Sequence, residues 1–97
     1  MGTLANRSSG INRFVGDLLE KQGLVLFEKW FEHLKQLQPE NPKITDFEVR
    51  DQMLEEINVS LSEANALILT KKDKLLVEEL VNRFLLRAHL LKPEKNI

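Results

Sequence analysis

The chain has 97 residues, 42% of them hydrophobic and 30% charged, with fourteen Lys and Arg against fifteen Asp and Glu and no cysteine. A chain of that length fits one domain with a small core and little room for a deep substrate cavity. A formal charge of −1 speaks against a dedicated nucleic-acid binder, whose affinity rests on clustered Lys and Arg. The missing thiols exclude disulfides, thiolate catalysis and cysteine-based zinc sites.

No apolar run approaches the roughly 20 residues of a membrane span. The opening MGTLANRSSG lacks the apolar core of a signal peptide, so a cytoplasmic location is expected. Asn6 stands where an N-myristoylation motif needs Ser or Thr. Asn6-Arg7-Ser8 and Asn58-Val59-Ser60 match the glycosylation sequon, and both are read as chance matches.

Residues 1–10 are small and polar and read as a flexible N-terminal arm. Residues 11–92 form the expected helical domain, and 93–97, beginning at the helix-stopping Pro93, a flexible tail. The first predicted helix covers 11–22, where Ile11, Phe14, Val15, Leu18 and Leu19 recur at helical spacing. The second covers 24–37: Leu24, Leu26, Phe27, Trp30, Phe31, Leu34 and Leu37 gather on one side and Glu28, Lys29, Glu32, Lys35 and Gln36 on the other. A single straight helix over 11–37 would turn its apolar stripe by roughly a quarter turn at Gln22-Gly23, and Gly23 is a natural breaking point. Two helices are therefore predicted.

QPENPK, with Pro39 and Pro42, reads as a loop. The third helix, 46–69, opens on a Thr45…Glu48 capping box with Ile44 and Val49 as its hydrophobic staple. Its apolar face runs through Phe47, Met53, Leu54, Ile57, Leu61, Ala64, Leu67 and Ile68. Ser60 and Glu63 offer a second capping box, but the stripe stays in phase past them, which favours one helix. The fourth helix, 71–91, is capped by Thr70 with Asp73 in its first turn and shows a wide apolar face from Leu76 to Leu91. The expected architecture is all-α: a small antiparallel bundle of about four helices, the last two forming a helical hairpin.

Chemistry is hard to assemble from these residues. His33 has Glu28 and Glu32 nearby in sequence, but neither is three or four residues away, as a shared metal face on a helix requires. His89 falls near the end of the last helix, where a cation suits the helix dipole. All the aromatics fall on apolar faces and read as core, although Phe27, Trp30 and Phe31 could line an apolar pocket between helices. Lys71, Lys72 and Lys74 read as a solvated turn. No catalytic set, P-loop or paired buried carboxylates can be drawn, so no enzyme, metal or cofactor is expected.

The most informative feature is a set of leucines that stray from the main faces. Leu75, Leu86 and Leu90 fall among Glu78, Glu79, Asn82 and Arg83 on the far side of the fourth helix, while Val59 and Leu69 stray on the third. Glu79 and Arg83 form a favourable i, i+4 pair. Several apolar side chains along one line suggest either a wide wrap within the bundle or a contact surface. The contact surface would be Leu69, Leu75, Glu79, Arg83, Leu86 and Leu90, and its partner a protein, with self-association into a homodimer foremost.

LLEKQGLVLFEKWFEHLKQL, Leu18 to Leu37, resembles the first helices of sensory domains in bacterial stressosome proteins, which also place a tryptophan after an acidic, helical LLE opening. The resemblance rests on common helix residues and carries over no site residue. The function expected from the sequence is a non-catalytic helical interaction or regulatory module acting by helix-face docking. The alternative is a sensory domain holding a small apolar ligand between helices.

Overall fold

The computed structural model describes residues 6–40 and 43–91. The described residues form three helices and no strand: α1 (Arg7–Leu37), α2 (Asp46–Asn65) and α3 (Lys71–Arg87). The all-α class holds, and the predicted four-helix count is corrected to three. The segments 11–22 and 24–37 are one continuous helix, and Gly23 does not break it.

The reason lies in what Gly23 touches. It is buried, and a Cβ built on it would sit 2.4 Å from Phe84 Cζ. The missing side chain lets the Phe84 ring lie against the α1 backbone, so this glycine serves close packing rather than a turn. The buried seam of α1 passes straight through it: Ile11, Val15, Leu19, Gly23, Leu26 and Leu34. The stripe does turn along α1, because the seam advances mostly in four-residue steps, each about 40° past a full turn, so it winds around an unbroken helix; Leu24 and Leu37 lie exposed beside it.

Each helix start is capped by a short polar side chain, as the orphan N–H groups of a first turn require. Asn6 Oδ1 accepts from Ser9 N at 3.2 Å, so helix begins within the predicted 1–10 arm; residues 1–5 lie outside the described residues. Thr45 Oγ1 accepts from Glu48 N at 3.1 Å. Thr70 and Asp73 form a reciprocal capping box.

The helix ends fall earlier than periodicity predicts. α2 stops at Asn65 because Ala66 turns left-handed at φ 52°, with Leu67 N donating back to Ser62 O at 3.0 Å. α3 stops at Arg87. His89 takes φ 62°, and Leu90 N donates to Leu85 O while His89 N donates to Leu86 O. That pair of bonds is a Schellman motif, with a histidine where glycine is common. The predicted extensions to 69 and 91 are thus corrected, and the 93–97 tail lies outside the described residues.

Contacts set the helix directions. Arg7, which opens α1, meets Asp73 near the start of α3, and Gly23 meets Phe84 further along both. These two helices run in the same sense. Arg50, early in α2, reaches Asn82, late in α3, so α2 runs against them, and the five-residue link 66–70 makes α2 and α3 the expected antiparallel hairpin. The core is one cluster. α2 supplies Val49, Met53, Ile57 and Leu61 and α3 supplies Val77, Val81 and Leu85, both at four-residue spacing, against the α1 seam.

Candidate docking face on α3

Two polar clamps orient the bundle. In the first, Arg7 Nε donates to Asp73 Oδ2 at 3.0 Å and Arg7 Nη2 to Ile68 O at 2.7 Å. Thr70 N also donates to Asp73 Oδ2, at 2.9 Å. Asp73 is the one buried polar side chain among the described residues. The hydrogen bond from Arg7, with help from Thr70, holds its carboxyl below the usual aspartate range against the opposing effect of burial. In the second clamp, Lys29 Nζ and Trp30 Nε1 donate to Glu56 Oε1 at 2.9 and 2.8 Å. The hydrogen bond from Lys29 lowers the Glu56 pKa most, burial opposes it, and the indole N–H adds to the lowering. Neither clamp was visible in the sequence, since each joins residues far apart along the chain. A charged residue on a helix's apolar side is the signal that could have flagged Asp73.

These clamps and the core fix which side of α3 faces out. Val77, Val81 and Leu85 are sealed. Glu78 and Asn82 turn toward α2, where Arg50 Nη1 donates to Asn82 Oδ1 at 3.2 Å and lies 3.9 Å from Glu78 Oε2. The opposite line carries Leu75 (57% exposed) and Leu86 (41% exposed). Between them Arg83 Nη2 donates to Glu79 Oε2 at 2.7 Å, both side chains facing water.

Of the six residues expected at an interface, the fold brings Leu75, Glu79, Arg83 and Leu86 into one exposed line. The other two are only partly exposed. Leu90 follows the Schellman turn and packs half-buried on the core, and Leu69 packs there from the link before α3. The row of strays therefore divides between monomer packing and a free face.

Ile68 was expected on an apolar face. It is 90% exposed, because α2 ends before reaching it. Beside it, Leu54, Val59, Leu67 and Leu69 line an open groove of about 810 Å³ whose rim carries Asp51, Glu55 and Glu63 against Lys74.

The three aromatic residues proposed for an apolar pocket make separate ring contacts. Phe27 and Phe31 stack with centroids 6.4 Å apart, and Trp30 meets His33 edge-on at 5.3 Å. Trp30 edges two shallow grooves, of about 290 and 390 Å³, that neither phenylalanine lines. Among the described residues no group of three His, Asp or Glu could hold a metal, and no helix is long and apolar enough to cross a membrane. Comparison with known proteins adds no assignment: no family model matches this chain, and no curated protein or solved structure matches it either.

Proposed function

We propose that this chain is a non-catalytic helical interaction module that docks the outer face of α3 onto a protein partner, with self-association as its first form. The observation that carries this reading is the exposure of Leu75 and Leu86 on a helix whose inner side is already satisfied by Val77, Val81 and Leu85. Burying a leucine fully is worth about 1.5–3 kcal/mol, and a chain this short has few other ways to gain apolar burial. Glu79 and Arg83 between the leucines supply the polar contacts that set orientation and specificity.

The test is a double substitution, Leu75→Glu with Leu86→Glu, followed by sedimentation and circular dichroism. The wild type is expected to associate as concentration rises. The variant should stay monomeric with unchanged helical content, because both sites face water. A wild type that sediments as a monomer up to about 1 mM, where association would be worth only about 4 kcal/mol, would defeat the self-association form of the reading.

A further inference from the structure

We propose that the partner on this face is a second copy of the chain, with its α3 antiparallel to the first and related to it by a two-fold axis. This rests on the docking function proposed above and adds a register to it. The outer line of α3 reads Leu75, Glu79, Arg83, Leu86, and all four are exposed. From either end it runs apolar, charged, charged, apolar, with the two charges opposite in sign.

A two-fold axis passing between Glu79 and Arg83 sets Leu75 against Leu86 of the second copy and Glu79 against its Arg83. Symmetry supplies the same two pairs in reverse. The spacings along the line are four, four and three residues, so the pairs match in both directions to within one residue, about 1.5 Å of helical rise. A parallel arrangement would instead oppose Glu79 to Glu79 and Arg83 to Arg83, and like charges across a contact repel. Charge complementarity thus selects the antiparallel pair. Within one chain the Glu79–Arg83 bridge is a solvated surface pair of little worth. Across the axis the two bridges join into a four-charge network partly shielded by the leucines on either side. Lys72, exposed one turn before Leu75, then lies beside the C-terminal turn of the other α3, where a cation is favoured.

The groove beside Ile68 does not complement itself in this way. Its rim sets Asp51, Glu55 and Glu63 against Lys74, so two copies would bring like charges together. A contact made by one helix pair falls short of the roughly 800 Å² per partner of a standard interface. The dimer is therefore a weak one, visible as a mass that grows with concentration.

Charge reversal reads the register directly. E79K leaves two cations on the line and R83E two anions, and both residues are exposed, so circular dichroism should not change. By sedimentation equilibrium the wild type should dimerise. Each variant alone should do so at least about tenfold more weakly, and an equimolar mixture of the two should recover the wild-type dimer mass. The double swap E79K/R83E should also dimerise, since it restores opposite charges across the axis. A wild-type dimer that survives both single variants, or variants that stay monomeric when mixed, overturns this register and leaves self-association through another face standing. A wild type that remains monomeric throughout overturns the register and the self-association reading together.

Discussion

Along α3, Val77, Val81 and Leu85 are sealed from solvent, while Leu75 and Leu86, on the other side of the same helix, keep roughly half their surface in water. The residue types are nearly the same and the turn of helix is shared. What differs is the neighbour: α1 and α2 cover one side, and nothing within the described chain covers the other. α2 repeats the contrast two residues apart, with Ile57 fully buried and Val59 exposed. Helical rhythm alone says that apolar side chains lie on two sides of a helix. It does not say which side is packed at home and which is left for company.

The sharpest way to break this comparison is to truncate one residue on each side of α2. Ile57→Ala removes buried methyl groups from a packed core and should cost about 2–5 kcal/mol. Val59→Ala, facing water, should stay within about 0.5 kcal/mol. Chemical denaturation at matched concentration measures both, and equal losses would mean that Val59 is covered in solution.

The sealed side also holds a charge, so it should respond to acid. Asp73→Asn keeps the shape but loses the carboxylate that Arg7 and Thr70 hold, and should cost about 1–2 kcal/mol at neutral pH. Because the folded-state pKa of Asp73 is lowered, its contribution is complete above the ordinary aspartate range, near pH 4. It is lost as pH falls through the lowered value. The stability gap between wild type and Asp73→Asn should therefore narrow on acidification below about pH 4. A gap that widens there would show that the carboxylate is not stabilised in the fold.

Smaller effects should come from Gly16 and Gly23 of α1, and they should differ in sign. Gly16 has open space where a Cβ would go, whereas at Gly23 the Phe84 ring fills it. Gly16→Ala should stabilise by about 0.5–1 kcal/mol through helix propensity. Gly23→Ala gains the same propensity but forces the ring to move, for a net loss of about 1 kcal/mol. Phe84→Leu should relieve that clash, so Gly23→Ala measured in the Phe84→Leu background should be neutral or favourable. Thermal melts of the four proteins give the coupling.

Much of the inner side was legible beforehand. Ile11, Val15 and Leu19, then Met53, Ile57 and Leu61, then Val77, Val81 and Leu85 follow helical spacing, whereas Phe47, expected on the same face, is exposed and Val49, expected only as a staple, is buried; Thr45 and Thr70 announce their helix starts by short-range hydrogen bonds. The glycine at 23 misled, because a residue without a side chain permits a break and permits close packing equally well. The helix ends were misplaced for a related reason. Ala66 and His89 adopt left-handed conformations that their residue types do not advertise, since such caps usually fall to glycine.

The candidate face was half legible. Leu75, Glu79, Arg83 and Leu86 stood out as a line, but Leu69 and Leu90 looked the same until the fold packed them on the core. Local spacing was enough to define the helical class, most of the inner seams and two of the three caps named above, because each depends on residues a few positions apart on one helix. That Gly23 receives a ring, that Arg7 closes on Asp73 and that α3 keeps one leucine-bearing side open emerged only from the packed helices. Those outcomes depend on which helices meet, and that is set by packing between segments dozens of residues apart rather than by any local pattern.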